Sequence, residues 1–278
     1  MPIAIEDWDD AYANGAHIAG ADAFPPRWAD AAAQFRDQVS AAGRARLAVS
    51  YGEGDRHVFD LFQPEDESRG LAVFIHGGYW RAFDGQSWSH LAAGALDAGY
   101  HVAIPSYDLC PTVGMGDILN QMARAVARAA ALTQGPIFLS GHSAGGHLVT
   151  RLVCSETPLP RHVAERVRAG RVLSISGVHD LRPLLRTQMN LDLRLDHETA
   201  KALSPALRMP AVGTEVLCWV GAQERPEFLR QSELLASIWR GCGAATASHI
   251  EPGRHHFDVI DDLAEVDSAM VRTWLGLS

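Results

Sequence analysis

Ser143 stands at the centre of Gly141-His142-Ser143-Ala144-Gly145, directly after the apolar run Ile137-Phe138-Leu139. A serine hydroxyl attacks a carbonyl well only when a base takes its proton and fixed donors receive the negative charge that develops on the carbonyl oxygen. The pentapeptide suits both needs. Glycines two residues before and two after the serine permit a strained strand-to-helix turn in which flanking side chains would collide, and that turn presents the hydroxyl at the end of a parallel sheet. The helix that follows starts beneath the nucleophile, so the Ala144 N–H points toward an incipient oxyanion. The pattern by itself is common by chance. The apolar strand before it and the helix-compatible Ala144-Gly145-Gly146-His147-Leu148-Val149 after it give it weight.

A second glycine motif lies upstream, His76-Gly77-Gly78-Tyr79-Trp80, after another buried-strand run, Leu71-Ala72-Val73-Phe74-Ile75. Two glycines after a strand are in general a plain turn. Paired with the downstream elbow, they make a loop whose Gly78 and Tyr79 N–H groups face the serine and complete an oxyanion hole with Ala144. His76 is placed to brace that loop, whereas His142 and His147, on either side of the nucleophile, read as packing or helix-surface residues.

His76 to Trp80 and Gly141 to Gly146 together resemble the α/β-hydrolase fold, and within it the H-G-G-x-W kynurenine formamidase (arylformamidase) group of the lipase and esterase relatives. The segment Ser106-Tyr107-Asp108-Leu109-Cys110-Pro111 is similar to the Y-R-L-A-P stretch of the hormone-sensitive-lipase-like esterases, with Asp108 and Cys110 departing from it. The likeness runs over roughly residues 70 to 276, and the first 45 residues carry no motif with a readable mechanism. The resemblance implies the chain order Ser, acid, His, with all three at carboxyl ends of strands. Of thirteen histidines, His197, His249, His255 and His256 lie well beyond the nucleophile's helix and the next strand. His255-His256 follows a turn at Pro252-Gly253, where a loop-borne base would sit. His256-Phe257-Asp258 resembles the formamidase H-F-D stretch, which implies His256 as the base, with His255 as the alternative. The same resemblance calls for an aspartate shortly after Val216-Leu217-Cys218-Trp219-Val220, but the chain reads Gly221-Ala222-Gln223-Glu224-Arg225-Pro226-Glu227-Phe228. Its Pro-Glu-Phe matches the family's P-E-F and sets Glu224 at the aspartate position, where a longer carboxylate can still orient an imidazolium. Asp180 is the catalytic runner-up, and a solvated loop carboxylate is the bland reading of Glu224. Glu227 suits the following helix N-terminus.

The elements that must position these groups follow from periodicity. Apolar runs at 71–75, 101–105, 137–140, 172–176 and 216–220 suit buried parallel strands, and the segments between them mostly show helical spacing. That alternation means α/β architecture: a mostly parallel central sheet with helices on both faces. Runs 46–51 and 57–62 add an antiparallel pair at the sheet's edge. Ile118, Met122 and Val126 mark one helix, and Phe228, Leu235 and Ile238 another that opens at Pro226 and stops at Gly241. Val259, Leu263, Val266, Met270 and Trp274 predict a C-terminal amphipathic helix. The stretch 178–213 suits either a small cap over the active site or an ordinary crossover. Trp28, Phe35 and Val39 form a helical core stripe, and Trp8 and Tyr12 fit packing or pocket wall equally. A single domain spanning 1–278 is expected, with residues 1–45 as an extension on or near the active site.

At 278 residues, with 47% hydrophobic and 21% charged residues, the chain has the make-up of an ordinary globular protein that buries a sizeable core. A formal charge of −9 argues against nucleic acid or an anionic membrane as partner. No stretch approaches the roughly 18 apolar residues of a membrane span, and the N-terminus lacks a basic, apolar leader, so a cytoplasmic protein is expected. Cys110, Cys154, Cys218 and Cys242 form no C-x-x-C pair and read as reduced thiols. No metal-ligand spacing is present, so neither metal nor other cofactor is expected. The partner is a small-molecule substrate, and a homodimer is compatible with the sequence.

The chemistry expected is that of a serine hydrolase: Ser143 as nucleophile, His256 as base, Glu224 as acid, and Gly78, Tyr79 and Ala144 as oxyanion donors. The formamidase resemblance implies cleavage of an N-formyl aryl amide such as N-formylkynurenine through an acyl-enzyme, releasing formate. Tyr79 and Trp80 would narrow the acyl side, and Arg81 or Arg225 would meet a substrate carboxylate. The alternatives are a carboxylesterase or thioesterase for small acyl groups, since fold does not fix substrate, and a catalytically silent binding protein.

Overall fold

The computed structural model describes residues 5–277. Its sheet has eight strands: β1 (Ala45–Ser50), β2 (Val58–Phe62), β3 (Leu71–Ile75), β4 (His101–Pro105), β5 (Ile137–His142), β6 (Val172–Ile175), β7 (Glu215–Gly221) and β8 (Ala245–Glu251), in the spatial order β1-β2-β4-β3-β5-β6-β7-β8. From β4 to β8 every pairing is parallel; β2 runs antiparallel to both β1 and β4. The helices, in chain order, are α1 (Trp8–Ala11), α2 (Phe24–Ala41), α3 (Ala93–Asp97), α4 (Met115–Ala130), α5 (Ala144–Leu152), α6 (Arg161–Arg168), α7 (Asn190–Leu193), α8 (His197–Leu203), α9 (Pro226–Gly241) and α10 (Ala269–Leu275).

The two-residue repeat of a strand explains how one sheet serves two cores. Along β3, Leu71, Val73 and Ile75 join one apolar cluster, and Ala72 and Phe74 join the other. Along β7, Val216, Cys218 and Val220 face the first, and Leu217 and Trp219 the second. The first cluster contains residues of α4, α5, α6 and α9, and the second contains residues of α2, α3 and α10. All five runs expected to be buried strands are strands, as is the edge pair. The Trp28–Val39 stripe lies on α2 with Trp28 and Val39 buried.

The C-terminal segment departs from expectation. Instead of one helix, a short 3₁₀ turn at Asp261–Ala264 is followed by a break and then by α10. Ser268 caps α10 by accepting from Val271 N at 3.1 Å, and its hydroxyl donates to the Asp262 carbonyl at 2.7 Å, which ends one piece and starts the next. Leu263 on the first piece and Met270 and Trp274 on the second are still buried, as is Val259 ahead of them, whereas Val266 in the break is only half-buried. Residues 178–213 form short helical turns, including α7 and α8, rather than a separate layer. All four cysteines are free thiols. Among the described residues, no helix is long and apolar enough to cross a membrane.

The N-terminal segment is fastened to α9 by a buried polar network. Tyr12 donates its hydroxyl to Glu227 Oε1 at 2.8 Å, Gln231 Nε2 donates to the same oxygen at 2.9 Å, and Arg230 bonds both carboxylate oxygens at 2.6 and 2.7 Å. The Glu227 side chain is 1% exposed, and although Arg230 reaches solvent, Tyr12 and Gln231 are buried with it and have no water to fall back on. Glu227→Ala should therefore lower unfolding free energy by about 3 kcal/mol, since buried donors stripped of an acceptor cost about 1–3 kcal/mol each. Urea denaturation checks this, and a loss below about 1 kcal/mol would show that the network is not what anchors the segment.

Candidate active site

Ser143 sits between the end of β5 and the first residue of α5 with φ 54° and ψ −111°. A non-glycine residue there is strained by about 1–3 kcal/mol, and its surroundings hold it in place: the Ser143 N–H donates to the Ile175 carbonyl of β6 at 2.8 Å. A Cβ on Gly145 would strike the Ile75 carbonyl of β3, and one on Gly141 would strike the Gly145 carbonyl. The spacing of the two glycines thus reflects how closely α5 approaches β3 and β5.

The loop after β3 lies against this elbow. A Cβ on Gly77 would come within 2.9 Å of the His142 carbonyl and 3.1 Å of Ser143 Cβ. Gly78, Tyr79 and Trp80 all have positive φ, at 106°, 51° and 57°, and the Arg81 and Ala82 N–H groups close the turn on the Gly78 carbonyl at 2.9 and 3.1 Å. His76 Nδ1 donates to the Gly77 carbonyl at 2.7 Å while its ring stacks on Tyr107 at 4.2 Å. Among the described residues, the N–H groups of Gly78, Tyr79 and Ala144 donate to no protein acceptor, and the Ser143 hydroxyl has no protein hydrogen-bond partner. Such bonds commonly tighten only when substrate is bound.

His256 is 4% exposed, and its Nδ1–H donates to Glu224 Oε2 at 2.6 Å. A carboxylate on Nδ1 fixes the tautomer and leaves Nε2 as the proton-accepting nitrogen. The other Glu224 oxygen accepts from the Gly221 N–H at 2.8 Å and the Ser176 hydroxyl at 2.5 Å. Ser176, itself at φ 52°, ends β6. The His256 ring packs between Phe228, 4.5 Å away, and His142, 4.6 Å away. Asp180 lies elsewhere: Arg182 grips both its oxygens at 2.9 and 2.8 Å, and although burial alone would raise its pKa, these bonds hold it below the usual carboxylate range. His255 turns away too, its Nδ1 lying 3.0 Å from Asp258 Oδ1 and its ring against Phe24.

Ser143, His142, His256, Gly78 and Tyr79 line one cavity of about 470 Å³. Two expected pocket residues lie outside it. Trp80 is fully buried and meets His147 edge to face at 5.1 Å, because its positive φ turns the ring away from the cavity. Arg225 is bound to Asp10, by its Nη2 to the carboxylate and by its Nε to the carbonyl at 3.2 Å. Arg81 does line the cavity, with its Nε 3.3 Å from Asp192. The remaining walls are aromatic and N-terminal: Phe83, Trp88 and Phe257 join Trp28 there, as do Asp9 and Ala13 to Ala16, while Tyr12, which fits packing or pocket wall from the sequence, does both. Phe257 follows His256 directly in the chain, whereas the helical stripe that contains Trp28 signals only core. From the 178–213 stretch, only Met189 is among the lining residues. Among the described residues, no cluster of three or more His, Cys, Asp or Glu side chains is arranged to hold a metal ion.

No protein-family model matches the chain. A crystal structure of a candidate thioesterase from Silicibacter sp. tm1040 is 50% identical, covers 96% of this chain and 98% of its own, and superposes with a TM-score of 0.90. The chain belongs to the α/β-hydrolase family. Kynurenine formamidases of Salmo salar and Drosophila melanogaster are 26% and 29% identical, over 83% and 81% of this chain and 81% and 78% of theirs. Esterase B of Lactobacillus rhamnosis shares the fold at a TM-score of 0.65 and 15% identity, over 91% of this chain and 92% of that one. This hydrolase is thus an enzyme of small substrates whose relatives include kynurenine formamidases and a candidate thioesterase.

Burial keeps four of its imidazoles neutral, and one of them, His142, lines the cavity. Burial pushes the pKa of His76 down to about 4, His147 to about 3 and His179 to about 4. Burial, and then the neighbouring His256, hold His142 well below the ordinary value. Unfolded, all of them return to about 6.5. Below that pH the unfolded chain takes up protons that the folded one refuses, so stability rises with pH across the window. The contribution is fully present above about pH 6.5 and is lost as pH falls toward 4. The urea midpoint should drop steadily from about pH 7 to pH 4.5; a flat profile there would contradict neutral burial.

The two carboxylates separate by mutation. Glu224→Gln should lower kcat by up to about ten-thousandfold by losing imidazolium support and the correct tautomer. Asp180→Asn, which touches only Arg182 and backbone, should change kcat by less than about tenfold. Steady-state kinetics on the two purified variants decide, and the reverse ranking would move the acid to Asp180.

Proposed function

We propose that this hydrolase cleaves the formyl–nitrogen bond of an N-formyl aryl amide, of which N-formylkynurenine is one, by way of a formyl-enzyme. The observation that carries the reading is the Glu224–His256 pair opening, with Ser143, onto a cavity walled by Trp28, Phe83, Trp88 and Phe257. Three separate chain segments supply those rings, and a flat aryl group fits among them by edge and face contacts. The kynurenine formamidase relatives supply the formyl half of the reading.

In the first half-reaction, His256 Nε2 takes the Ser143 proton as Oγ bonds to the formyl carbon. The carbonyl electron pair moves to oxygen, where the Gly78, Tyr79 and Ala144 N–H groups receive it. Collapse breaks the carbon–nitrogen bond, and the imidazolium returns its proton to the departing amine. In the second, His256 takes a proton from water, which attacks the formyl ester; formate leaves and Ser143 regains its hydrogen. Glu224 stays ionised throughout and stabilises the imidazolium each time it forms.

A thioesterase or carboxylesterase reading is favoured by the 50%-identical candidate thioesterase, and the same groups would perform either reaction. The two part on acyl size. Trp80 is not at the cavity, so any wall against a longer acyl group comes from the oxyanion loop itself and His142. Overfilling such a packed site costs about 1–3 kcal/mol. Formanilide should therefore turn over at least about tenfold faster than acetanilide, and Ser143→Ala should abolish both activities. Equal rates, or faster hydrolysis of an acyl-CoA or a longer-chain para-nitrophenyl ester, would replace the formamidase reading with the thioesterase or esterase one.

A further inference from the structure

Tyr79 contributes two things at once: a backbone N–H at the proposed oxyanion site and a phenol committed elsewhere. Its hydroxyl donates to the Tyr12 carbonyl at 2.5 Å and accepts from Asn14 Nδ2 at 3.1 Å. Asn14 is 5% exposed and Tyr12 is 2% exposed, so neither contact is an incidental surface bond. Burial, and then the Glu224 charge, push the Tyr79 phenol well above its ordinary pKa, which keeps it a donor. Tyr12 is anchored in turn through Glu227 and Gln231 and meets Phe228 edge to face at 5.8 Å, and Phe228 packs on His256. The N-terminal segment therefore spans the site from the oxyanion loop to the base.

This connection bears on catalysis because the loop is held in an unfavourable shape. Tyr79 and Trp80 are consecutive bulky residues in the left-handed region, where side chains are rarely accommodated. Relaxation of φ at Tyr79 toward negative values would swing the peptide plane that carries its N–H. We propose that the Tyr79 hydroxyl, through Tyr12 and Asn14, holds the oxyanion loop in its strained shape, which makes Asn14 and the Tyr79 side chain positioning residues for the Gly78 and Tyr79 N–H donors. The tether rests on Ser143 being the nucleophile, as proposed above, but not on which acyl group is cleaved.

The test uses the full chain with Tyr79→Phe, which removes one oxygen and keeps the ring, and with Asn14→Ala. The first readout is the rate at which a fluorophosphonate labels Ser143, since that reaction also places charge on an oxygen in the oxyanion site and needs no knowledge of the substrate. Tyr79→Phe should slow labelling about ten- to a hundredfold, less than the hundred- to thousandfold cost of deleting a donor outright. On formanilide or para-nitrophenyl acetate, whichever is turned over, the loss should fall on kcat with KM within about twofold, and binding of a phenylboronic acid should weaken by a similar factor. The double variant should be no slower than Tyr79→Phe alone, because both changes cut one tether. Wild-type labelling and boronate affinity in Tyr79→Phe with only a lowered Tm would overturn the proposal, as would strictly additive effects. A wild-type enzyme that the probe does not label at Ser143 would instead defeat the nucleophile assignment, and a slower Tyr79→Phe that prefers esters would leave the tether standing while the formamidase reading falls.

Discussion

Everything around the site depends on how closely α5 is set against β3. The Gly145 Cα lies so near the Ile75 carbonyl that no side chain fits between them, and Gly141 is closed off in the same way by Gly145. This contact forces the chain through Ser143 with a positive φ, because β5 must end and α5 must begin within one residue. It also puts the start of α5 beside the loop that leaves β3. Ser143 and the loop after β3 are therefore positioned by one steric constraint, and the strain at Ser143 is offset by the packing of two buried strands.

The same logic extends to Glu224, but by polar bonds. Glu224 reaches His256 from a turn that is fixed to neighbouring loops through the Gln223 N–H on the Arg254 carbonyl and the Ala222 N–H on the Glu251 carbonyl, both at 2.9 Å. Its second oxygen is occupied by Gly221 and Ser176. A glutamate has one more rotatable bond than an aspartate, and holding it in a single orientation takes more partners. Ser176, held at a positive φ with its N–H on the Trp219 carbonyl at 2.7 Å, is the partner that β6 supplies. Nothing in the sequence around Ser176 signals that duty, since a lone serine after an apolar strand is an unremarked residue.

The fold was legible where burial is uniform. The runs that became β3, β4, β5, β6 and β7 are apolar because both faces of the strands are covered. By contrast, β8 reads Ala-Thr-Ala-Ser-His-Ile-Glu and is largely exposed at the sheet's edge, so only its pairing to β7 declares it a strand. The C-terminal stripe was legible as burial but not as structure, since a helical period survives a break whose two pieces face the same core. Ser143, Glu224 and His256 are brought together from chain order and short motifs. Apart from Tyr12, the cavity wall was not legible, because Trp28, Trp88 and Phe257 converge only through tertiary packing. Trp80 was misplaced for a local reason: motif adjacency says nothing about the sign of φ, and at 57° the ring points to His147.

The electrostatics of the site follow from which groups burial neutralises and which it pairs. His76, His142, His147 and His179 are buried and held neutral, while His256 has a carboxylate at 2.6 Å. An imidazolium formed at His256 therefore meets no like charge from His142, the histidine ring packed on it. If His142 were ordinarily basic, its ring 4.6 Å from His256 would compete for the proton and oppose the charge that must appear during attack. Its burial between the oxyanion loop and the base removes that competition. Neutral His142 thus costs stability in acid and, in the same act, leaves His256 as the member of that packed pair with a carboxylate to support a charge, which on the proposed mechanism lets a proton move between Ser143 and His256 rather than to His142.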